Sequence, residues 1–541
     1  WSFYIHGTSE DRQASEDGFL RAALEFFGVQ LAANASADDK GRKLADAVAA
    51  SRTLLVLDGL EPLQAPQSGG LSRAPGVAAL LTALVRNGQP GLCVLTSRQA
   101  LPELADQVRA DTQPQGRVVQ IDLDNLSPAD GARLLYRQGV TRAGSAPIPA
   151  ADDTELQTAS AHFKNHALTL TVLGLYLASA HGGDVRHWRE VELAAADPEF
   201  TFDPDGEYGH AFKAMYAYER WLATDKRKGT KKLAVLRLLG LFDRPATPDC
   251  LRALREPPIA GLTDGLAGIG DGEWNLLIAD LEKAGLVQTA EWQPGKVEGY
   301  DDRAYAAKRM AAYPNVEYFP LGTPQPFSPP GPPLPAGARS LDAHPLLREY
   351  FARRLSDSND PAEREAARAG HARLYEHLCA SVPYWPEGEA GLAPLYQAVA
   401  HGCRAGRYQE ACDEVYRDRI NRRAEFYATY KLGLYGTELA ALAGFFAPPW
   451  RTPVTALAEG ARAWLLNEAA FRLRALGRLR EAVEPMRAGL EMYVAQQNWQ
   501  YAAIGASNLS ELLLTLGEVR QAEAEAARAV GYADDSGDAF Q

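Results

Sequence analysis

Cysteine is scarce in this chain, with five residues in 541. They are Cys93, Cys250, Cys379, Cys403 and Cys412. No two of them form a C-x-x-C pair and their number is odd, which argues against a cysteine zinc site and against a disulfide framework. A reducing cytoplasm is therefore the expected compartment.

Long apolar runs and clustered basic charge are also lacking. The longest apolar run, ALTLTVLGLYLASA at residues 167–180, is interrupted by threonines and is shorter than the roughly 20 residues that cross a bilayer. The formal net charge is −13. These features argue against a membrane-spanning segment and against a nucleic-acid surface, which needs clusters of Lys and Arg.

A phosphate-binding loop of the form G-x-x-x-x-G-K-[ST] does not occur in the sequence. The Gly-Lys pair at 295–296 has the wrong spacing and follows no predicted strand. The loop therefore either lies upstream of Trp1 or does not exist in this protein. Because the sequence begins directly on the strand-like segment WSFYI, we expect the natural N-terminus to lie further upstream.

Residues 1–123 alternate strand-like and helix-like segments, which is typical of a parallel sheet covered by helices on both faces. The predicted strands are 1–5, 53–59, 91–98 and 117–123, and the predicted helices are 15–28, 40–51 and 76–88. Ligands of such sheets bind at the carboxyl ends of the strands. Asp58 and Arg98 both lie at such ends.

Two carboxylates follow the second predicted strand, in TLLVLDGLEPL at residues 53–63. In nucleoside triphosphatases one carboxylate at this place orients Mg²⁺ and a second acidic group positions water, so Asp58 and Glu61 are the candidate catalytic residues. Arg98 could reach a γ-phosphate. A simpler interpretation is also open, because Asp-Gly turns the chain after many strands and an arginine can merely cap a sheet edge.

From residue 124 onward the pattern is mainly helical. The order helix, glycine turn and short strand in residues 274–292 is typical of the end of a winged helix. A long insert follows, 294–339, and its end, PQPFSPPGPPLPAGA, is too rich in proline to form a packed helix or an inner strand. His162 and His166 are spaced i, i+4 and could share a metal, but the sequence suggests no third ligand, so we predict structural or capping roles.

Beyond residue 360 the chain is helical and repetitive. Gly and Ala recur five residues apart, at Gly406/Ala411, Gly477/Ala482 and Gly517/Ala522. The last two copies are 40 residues apart, and a degenerate unit is expected around 435–442. The pattern resembles tetratricopeptide repeats, whose helix pairs stack into a solenoid with a concave binding surface. The sequence ends as if a further repeat were beginning, so we expect the natural C-terminus to lie further downstream.

The order of these features resembles the STAND class of signalling nucleoside triphosphatases, which includes NB-ARC and NACHT proteins. LLVLDGLEP is similar to the metal-binding strand in its NACHT form, and LCVLTSR to the sensor strand that follows it. FKNHALTLTVLG at 163–174 resembles the helical-domain motif usually written G-L-P-L. LDAHPLLREYF resembles the Met-His-Asp motif of the winged helix.

The resemblance implies a role for each matching residue. Asp58 would hold the Mg²⁺ of bound ATP or ADP, Glu61 would help to position water, and Arg98 would sense the γ-phosphate. Ala167 stands at about the place of the G-L-P-L proline, and His344 matches the histidine that reads the β-phosphate of ADP. ATP and GTP remain open as alternatives, and the expected hydrolysis is slow.

The expected architecture is multidomain, α/β plus α. It comprises a truncated P-loop NTPase-like α/β domain without its phosphate loop (1–123), a helical domain (124–207), a winged helix (208–355) with a Pro-rich insert (294–339), and an α-solenoid of tetratricopeptide-like repeats (360–541). The resemblance implies a cytoplasmic nucleotide-dependent signalling switch that senses a protein partner through its repeats, self-oligomerises when activated and engages an effector. The alternative is a repeat-based protein–protein interaction scaffold without functional nucleotide binding. A DNA-binding regulator using the winged helix is a third interpretation, which the acidic balance disfavours.

Overall fold

The structure is a computed structural model of the 541-residue chain. It describes every residue except 2, 4–14, 32–34, 66–67, 88–90, 98, 110–116, 124, 143, 145–147, 195, 205, 207, 294, 296, 301–324, 330–332, 336 and 538–541. The chain divides into two compact units. Unit 1 comprises residues 1–120, 295–331 and 375–541, and unit 2 comprises residues 121–294 and 332–374. Among the helices that the structure describes, none combines the length and the apolar character that crossing a bilayer requires.

The N-terminal part of unit 1 is an α/β segment. Its elements are α1 (Asp17–Phe26), α2 (Ala37–Ala49), β1 (Leu54–Leu57), α3 (Pro75–Asn87) and β2 (Leu92–Leu95). The two strands pair in parallel, with Leu54 opposite Leu92, as the sequence predicted. Beside β1, the Phe3 N–H donates to the Asp58 carbonyl and the Asp58 N–H donates to the Trp1 carbonyl, both at 2.8 Å. This is the position predicted for a strand at 1–5, of which residues 2, 4 and 5 lie outside the described residues.

One face of this small sheet is buried and the other is exposed. The three helices and the Phe3 ring cover the inner face, where Phe19, Leu44, Leu57 and Leu80 are at most 2% exposed. Side chains of the other face remain 39% to 66% exposed; they belong to Leu54, Val56, Leu92 and Val94. The prediction of a sheet covered on both faces is therefore wrong for these two strands. An apolar run shows that a strand can be buried, but not that a second layer covers it.

The predicted strand at 117–123 is also wrong. Within it, Val118 makes an isolated parallel bridge with Val108, and the segment forms no further ladder among the described residues. The side chains of Ile121 and Leu123 are 75% and 91% exposed. β-branched residues favour a strand only where a neighbouring strand and a packing surface exist, and this segment has neither on the described part of the chain.

The first part of unit 2 is helical, as predicted. Its helices are α4 (Pro128–Arg137), α5 (Thr154–His162), α6 (Ala167–Ala180) and α7 (Glu190–Ala194). Ser127 caps α4, because its Oγ accepts a hydrogen bond from the Asp130 N–H at 3.1 Å and Pro128 occupies the first helical position. α4 packs on both α5 and α6.

The second part of unit 2 contains helices followed by an antiparallel strand pair. Its elements are α8 (Gly209–Thr224), α9 (Gly229–Leu239), α10 (Pro248–Arg255), α11 (Asp271–Lys283), β3 (Val287–Glu291), β6 (Arg339–Ala343) and α12 (Pro345–Ser356). Two short strands of unit 1, β4 (Glu298–Tyr300) and β5 (Gln325–Pro326), lie between β3 and β6 in the sequence. β3 and β6 pair antiparallel, with Val287 opposite Ala343. The predicted order of helix, glycine turn and strand in residues 274–292 is confirmed by α11, Gly285 with φ 71° and β3.

The proline-rich insert contributes two short strands to unit 1. β4 lies at the centre of a three-stranded sheet, between β5 and β7 (Trp385–Pro386). Both outer strands contain a proline, Pro326 and Pro386, which fits edge positions because proline has no N–H to donate to an inner ladder. Residues 301–324 of the insert lie outside the described residues.

The C-terminal part of the chain is a series of helices. They are α13 (Pro361–Ala380), α14 (Gly388–Arg404), a single turn (Tyr408–Glu410) that leads into a π-helical segment (Ala411–Ile420), α15 (Tyr435–Leu442), α16 (Glu459–Ala475), α17 (Leu479–Ala495), α18 (Trp499–Thr515) and α19 (Val519–Ser536). From α16 to α19 each helix packs on the next. α15 lies where the degenerate repeat unit was predicted.

The repeat pattern read from the sequence is confirmed in α16 to α19. Gly477 and Gly517 lie in the turns after α16 and α18 with φ of 74° and 82°, which glycine adopts without the steric cost of a Cβ. Their alanine partners, Ala482 and Ala522, are 0% and 3% exposed. The turn between α17 and α18 has the same geometry, but Gln497 takes the glycine position with φ 55°.

Candidate functional site

The carboxyl ends of β1 and β2 bring Asp58 and Thr96 together. Because the two strands are parallel, both residues follow their strands at the same edge of the sheet. The Thr96 hydroxyl donates to Asp58 Oδ1 at 2.7 Å, and its oxygen accepts a hydrogen bond from the Gly59 N–H at 2.7 Å. Gly59 has φ 69°, so the chain turns immediately after Asp58. The neighbouring strand thus fixes the orientation of the Asp58 carboxylate.

Glu61 lies on the loop that follows. It begins a 3₁₀ turn, Glu61–Leu63, and its side chain is half-buried. Gln64, which follows this turn, is buried. Its amide oxygen accepts a hydrogen bond from Ser97 Oγ at 2.7 Å, and its Nε2 donates to the Gly69 carbonyl at 2.6 Å. These contacts attach the loop that carries Glu61 to the end of β2. The contacts of Thr96 and Gln64 cannot be read from the sequence, because they depend on which strands are neighbours.

The described part of this edge is suited to a hard divalent cation. A carboxylate and a hydroxyl offer oxygen ligands, the donors that Mg²⁺ prefers. The roles of Asp58 and Glu61 towards a metal stay predictions, and the sequence has no G-x-x-x-x-G-K-[ST] loop for phosphates. Arg98, the predicted γ-phosphate residue, lies outside the described residues.

Two predicted site residues lie in unit 2. Ala167 is the first residue of α6 and is exposed. His344 is the N-cap of α12, and its Nδ1 accepts a hydrogen bond from the Leu346 N–H at 3.2 Å. A histidine that caps a helix has a fixed ring orientation. Its role towards a nucleotide stays a prediction.

The two histidines considered as a metal pair have separate structural roles. His166 caps α6, since its Nδ1 accepts a hydrogen bond from the Thr169 N–H at 3.3 Å. His162 Nε2 lies 2.9 Å from Glu192 Oε1. The prediction of structural and capping roles is confirmed.

A histidine that the sequence did not single out stands next to His166. The ring of His210 packs edge-on against the ring of His166, with centroids 5.3 Å apart. Burial, together with the nearby charges of His166, Lys164 and Lys213, lowers the pKa of His210 to about 4. His210 is therefore neutral at pH 7.

Within unit 1, helix α1 is bonded directly to the helical repeats. Asp17 Oδ2 accepts hydrogen bonds from the Gly436 N–H at 3.1 Å and from Ser15 Oγ at 2.8 Å. Burial raises the pKa of Asp17. Arg21 forms an ion pair with Glu389 of α14. The α/β segment and the repeats thus share a polar contact through one helix.

Comparisons with known proteins find similarity to solved structures. No protein-family model and no curated protein matches the sequence. A solved structure of a Signal Transduction ATPase with Numerous Domains (STAND) protein with a tetratricopeptide repeat sensor, from Pyrococcus horikoshii, is similar at 13% sequence identity. The similarity covers 96% of this chain and 69% of that one, with a TM-score of 0.36. That score is too low for the likeness to decide which fold or activity this chain has.

Proposed function

We propose that this protein is a nucleotide-dependent signalling switch, in which the edge formed by Asp58 and Glu61 binds the Mg²⁺ of ATP or ADP. The observation that carries the proposal is the pairing of Asp58 with Thr96. Carboxylates that bind a metal are themselves held in place by hydrogen bonds. Here Thr96 holds one carboxylate oxygen at 2.7 Å, at the edge of the sheet where ligands of α/β proteins bind.

The residues of this edge have distinct proposed roles. Asp58 and the Thr96 hydroxyl orient the cation, and Glu61 positions a water molecule near it. A bound Mg²⁺ would neutralise charge on the phosphates of the nucleotide. Arg98 and His344 are proposed to distinguish ATP from ADP through the γ- and β-phosphates. Hydrolysis at this site is expected to be slow. Its rate would then set how long the ATP-bound form of the switch lasts.

The helical repeats are proposed to sense a protein partner. α18 and α19 form a groove of about 410 Å³, lined mainly by small and polar residues that include Ser507, Asn508 and Ala529. The contacts of Asp17 and Arg21 attach the α/β segment to α15 and α14 of the repeat region. A partner that shifts these helices would therefore act on α1. Such a movement of α1 favours the ATP-bound or the ADP-bound form only if the partner makes different contacts with the two forms.

The proposal is tested by nucleotide binding to residues 1–541. The chain is titrated with ATP, ADP, GTP and GDP, each with and without Mg²⁺, and its unfolding is followed by differential scanning fluorimetry. We expect Mg²⁺-dependent stabilisation by at least one nucleotide, with a Kd on the order of 1 mM because the phosphate loop is not in this sequence. At ten times Kd the stabilisation is about 1.4 kcal/mol. If none of the four nucleotides shifts the unfolding transition, even at concentrations well above about 1 mM, the proposal is refuted.

A repeat-based scaffold without nucleotide binding is the second candidate. Its specific support is the regular packing of α16 to α19, since stacked helix pairs present a binding surface of their own. The scaffold predicts partner binding that does not change when ATP and Mg²⁺ are added. The switch predicts that the partner and the nucleotide alter each other's affinity, since coupling between two sites is reciprocal.

A further inference from the structure

Ten residues of unit 2, HGGDVRHWRE at 181–190, place a metal-binding side chain at every third position. These side chains belong to His181, Asp184, His187 and Glu190. The chain from Val185 to Arg189 is a 3₁₀ helix, and Asp184 is its N-cap. A 3₁₀ helix has three residues per turn, so side chains three positions apart lie one above the other. Asp184, His187 and Glu190 therefore form a row along one edge.

A glycine turn brings His181 to the same edge. Gly182 and Gly183, with φ of 60° and 84°, reverse the chain directly after α6. A Cβ on Gly183 would lie 2.2 Å from the Gly139 carbonyl oxygen, so only glycine fits at this place. As a result the rings of His181 and His187 stack, with centroids 4.3 Å apart and an interplanar angle of 11°.

One carboxylate bridges the two imidazoles. Glu190 Oε2 lies 3.2 Å from His181 Nε2, and Glu190 Oε1 lies 2.5 Å from His187 Nδ1. One ligand atom from each of the three residues can be chosen so that all three lie within 4.8 Å of one another. Ligands about 2.1 Å from a tetrahedral metal are separated by about 3.4 Å. Rotations that tilt the two stacked rings towards each other would direct all three atoms at one ion.

The surroundings complete a site of this type. Asp184 Oδ2 lies 3.9 Å from His187 Nε2, the ring nitrogen that points away from Glu190. Arg186 fixes the Asp184 carboxylate through two nitrogens, at 2.9 and 2.6 Å. The 3.9 Å distance from Asp184 to His187 is an electrostatic contact; closed to a hydrogen bond, a carboxylate behind a ligating imidazole sets its tautomer and orientation. The side chains of His187 and Glu190 are 42% and 43% exposed, so that water can reach a fourth position.

We propose that His181, His187 and Glu190 form a binding site for a transition-metal ion of the Zn²⁺ class. Two imidazoles and one carboxylate are a ligand set that Zn²⁺ takes, with water as the fourth ligand. The site is independent of the proposed nucleotide site, because it uses none of its residues. Its rival is a hydrogen-bonded cluster in which Glu190 merely links two histidines.

The test is a titration of residues 1–541 with Zn²⁺ after removal of metals by EDTA. We expect one saturable site per chain, and a Co²⁺-loaded sample should show the absorption of a tetrahedral complex. His187→Gln and Glu190→Gln should each weaken Zn²⁺ binding at least about tenfold. His162→Ala is the matched control, because His162 is also about 40% exposed and contacts a glutamate, and its affinity for Zn²⁺ should not change.

A second measurement separates binding from folding. Circular dichroism spectra of all variants are compared first. Zn²⁺ should then raise the melting temperature of the unchanged chain and of His162→Ala, but not that of the double variant His181→Ala/His187→Ala. No saturable binding of Zn²⁺ or Co²⁺ to the unchanged chain would overturn the proposal. Equal affinity in a correctly folded double variant would overturn it as well.

Discussion

Replacing Arg472 by methionine should destabilise the repeat region more than any exposed charge change. Arg472 is completely buried in α16, between Glu438 of α15 and Glu468. Its Nη2 and Nη1 lie 2.5 Å from Glu438 Oε2 and from Glu468 Oε2, and its Nη2 also donates to Thr429 Oγ1 at 3.1 Å. The guanidinium thus pairs with two buried carboxylates, one on its own helix and one on α15.

The magnitude follows from the burial of both partners. Glu438 and Glu468 are 0% and 5% exposed, and the loss of one partner from a buried pair costs about 3–5 kcal/mol because it leaves a charge without compensation. Burial already raises the pKa of Glu468 in the unchanged chain. In Arg472→Met its protonation becomes easier still. The destabilisation of Arg472→Met relative to the unchanged chain should therefore shrink as the pH falls.

The assay is urea unfolding followed by circular dichroism, with hydrogen exchange of the α16 amides to identify the transition that includes the repeats. Arg474→Met is the matched control, since Arg474 lies two positions away and pairs with Glu511 at 3.0 Å on the surface. Its cost should stay below about 1 kcal/mol. Adding Glu438→Gln and Glu468→Gln to Arg472→Met should recover part of the loss. Equal stability of Arg472→Met and Arg474→Met would refute the reasoning.

Two further predictions concern turns and pH. Gly477→Ala should destabilise the chain by about 1–2 kcal/mol, because alanine is strained at φ 74°. Gly531→Ala, inside α19, should instead stabilise it by roughly 0.5–1 kcal/mol. Melting temperatures of the two variants test this, and equal effects would contradict the repeat geometry. Burial raises the pKa of Glu16 from 4.5 to about 7, although Gly76 N–H and Val77 N–H donate to its carboxylate. The folded chain therefore keeps a proton that the unfolded chain loses, so this stabilisation, about 3 kcal/mol, is complete below pH 4.5 and is lost as pH rises through 7. Urea unfolding at pH 5 and 8 should show this slope, and Glu16→Gln should remove it.

The fold was predictable where the signal is local. Gly477 and Gly517 each specify a turn through their own φ, and the small side chains of Ala482 and Ala522 fit the close packing of the next helix. The turn at Gln497 was not predicted, because a turn of the same shape can tolerate a residue other than glycine. A spacing rule built on glycine therefore finds only some of the turns.

Long-range packing was not predictable from the same patterns. The segment at 117–123 has the composition of a strand, yet a strand needs a neighbour that the sequence alone does not supply. The exposure of Leu54 and Leu92 has the same origin, since an apolar run is compatible with one covered face or with two. These errors concern the tertiary neighbours of a segment, which its own sequence does not specify.

The candidate site was predictable in part for the same reason. Asp58 and Glu61 follow a strand directly, and their position at its carboxyl end is a local property. The hydrogen bond from Thr96 depends on the parallel pairing of two strands, so no spacing in the sequence reveals it. The row from Asp184 to Glu190 also needed the structure, because its three-residue spacing gives one edge only in a 3₁₀ helix.

The central claim is that Asp58 holds the Mg²⁺ of a bound nucleotide. The most direct measurement compares Mg²⁺-dependent ATP binding to the unchanged chain, to Asp58→Asn and to Asp46→Asn, whose carboxylate is 61% exposed on α2. We expect Asp58→Asn to lose the Mg²⁺-dependent part of the affinity, while Asp46→Asn retains it. ATP binding that depends equally on Mg²⁺ in all three proteins would show that Asp58 does not hold the ion.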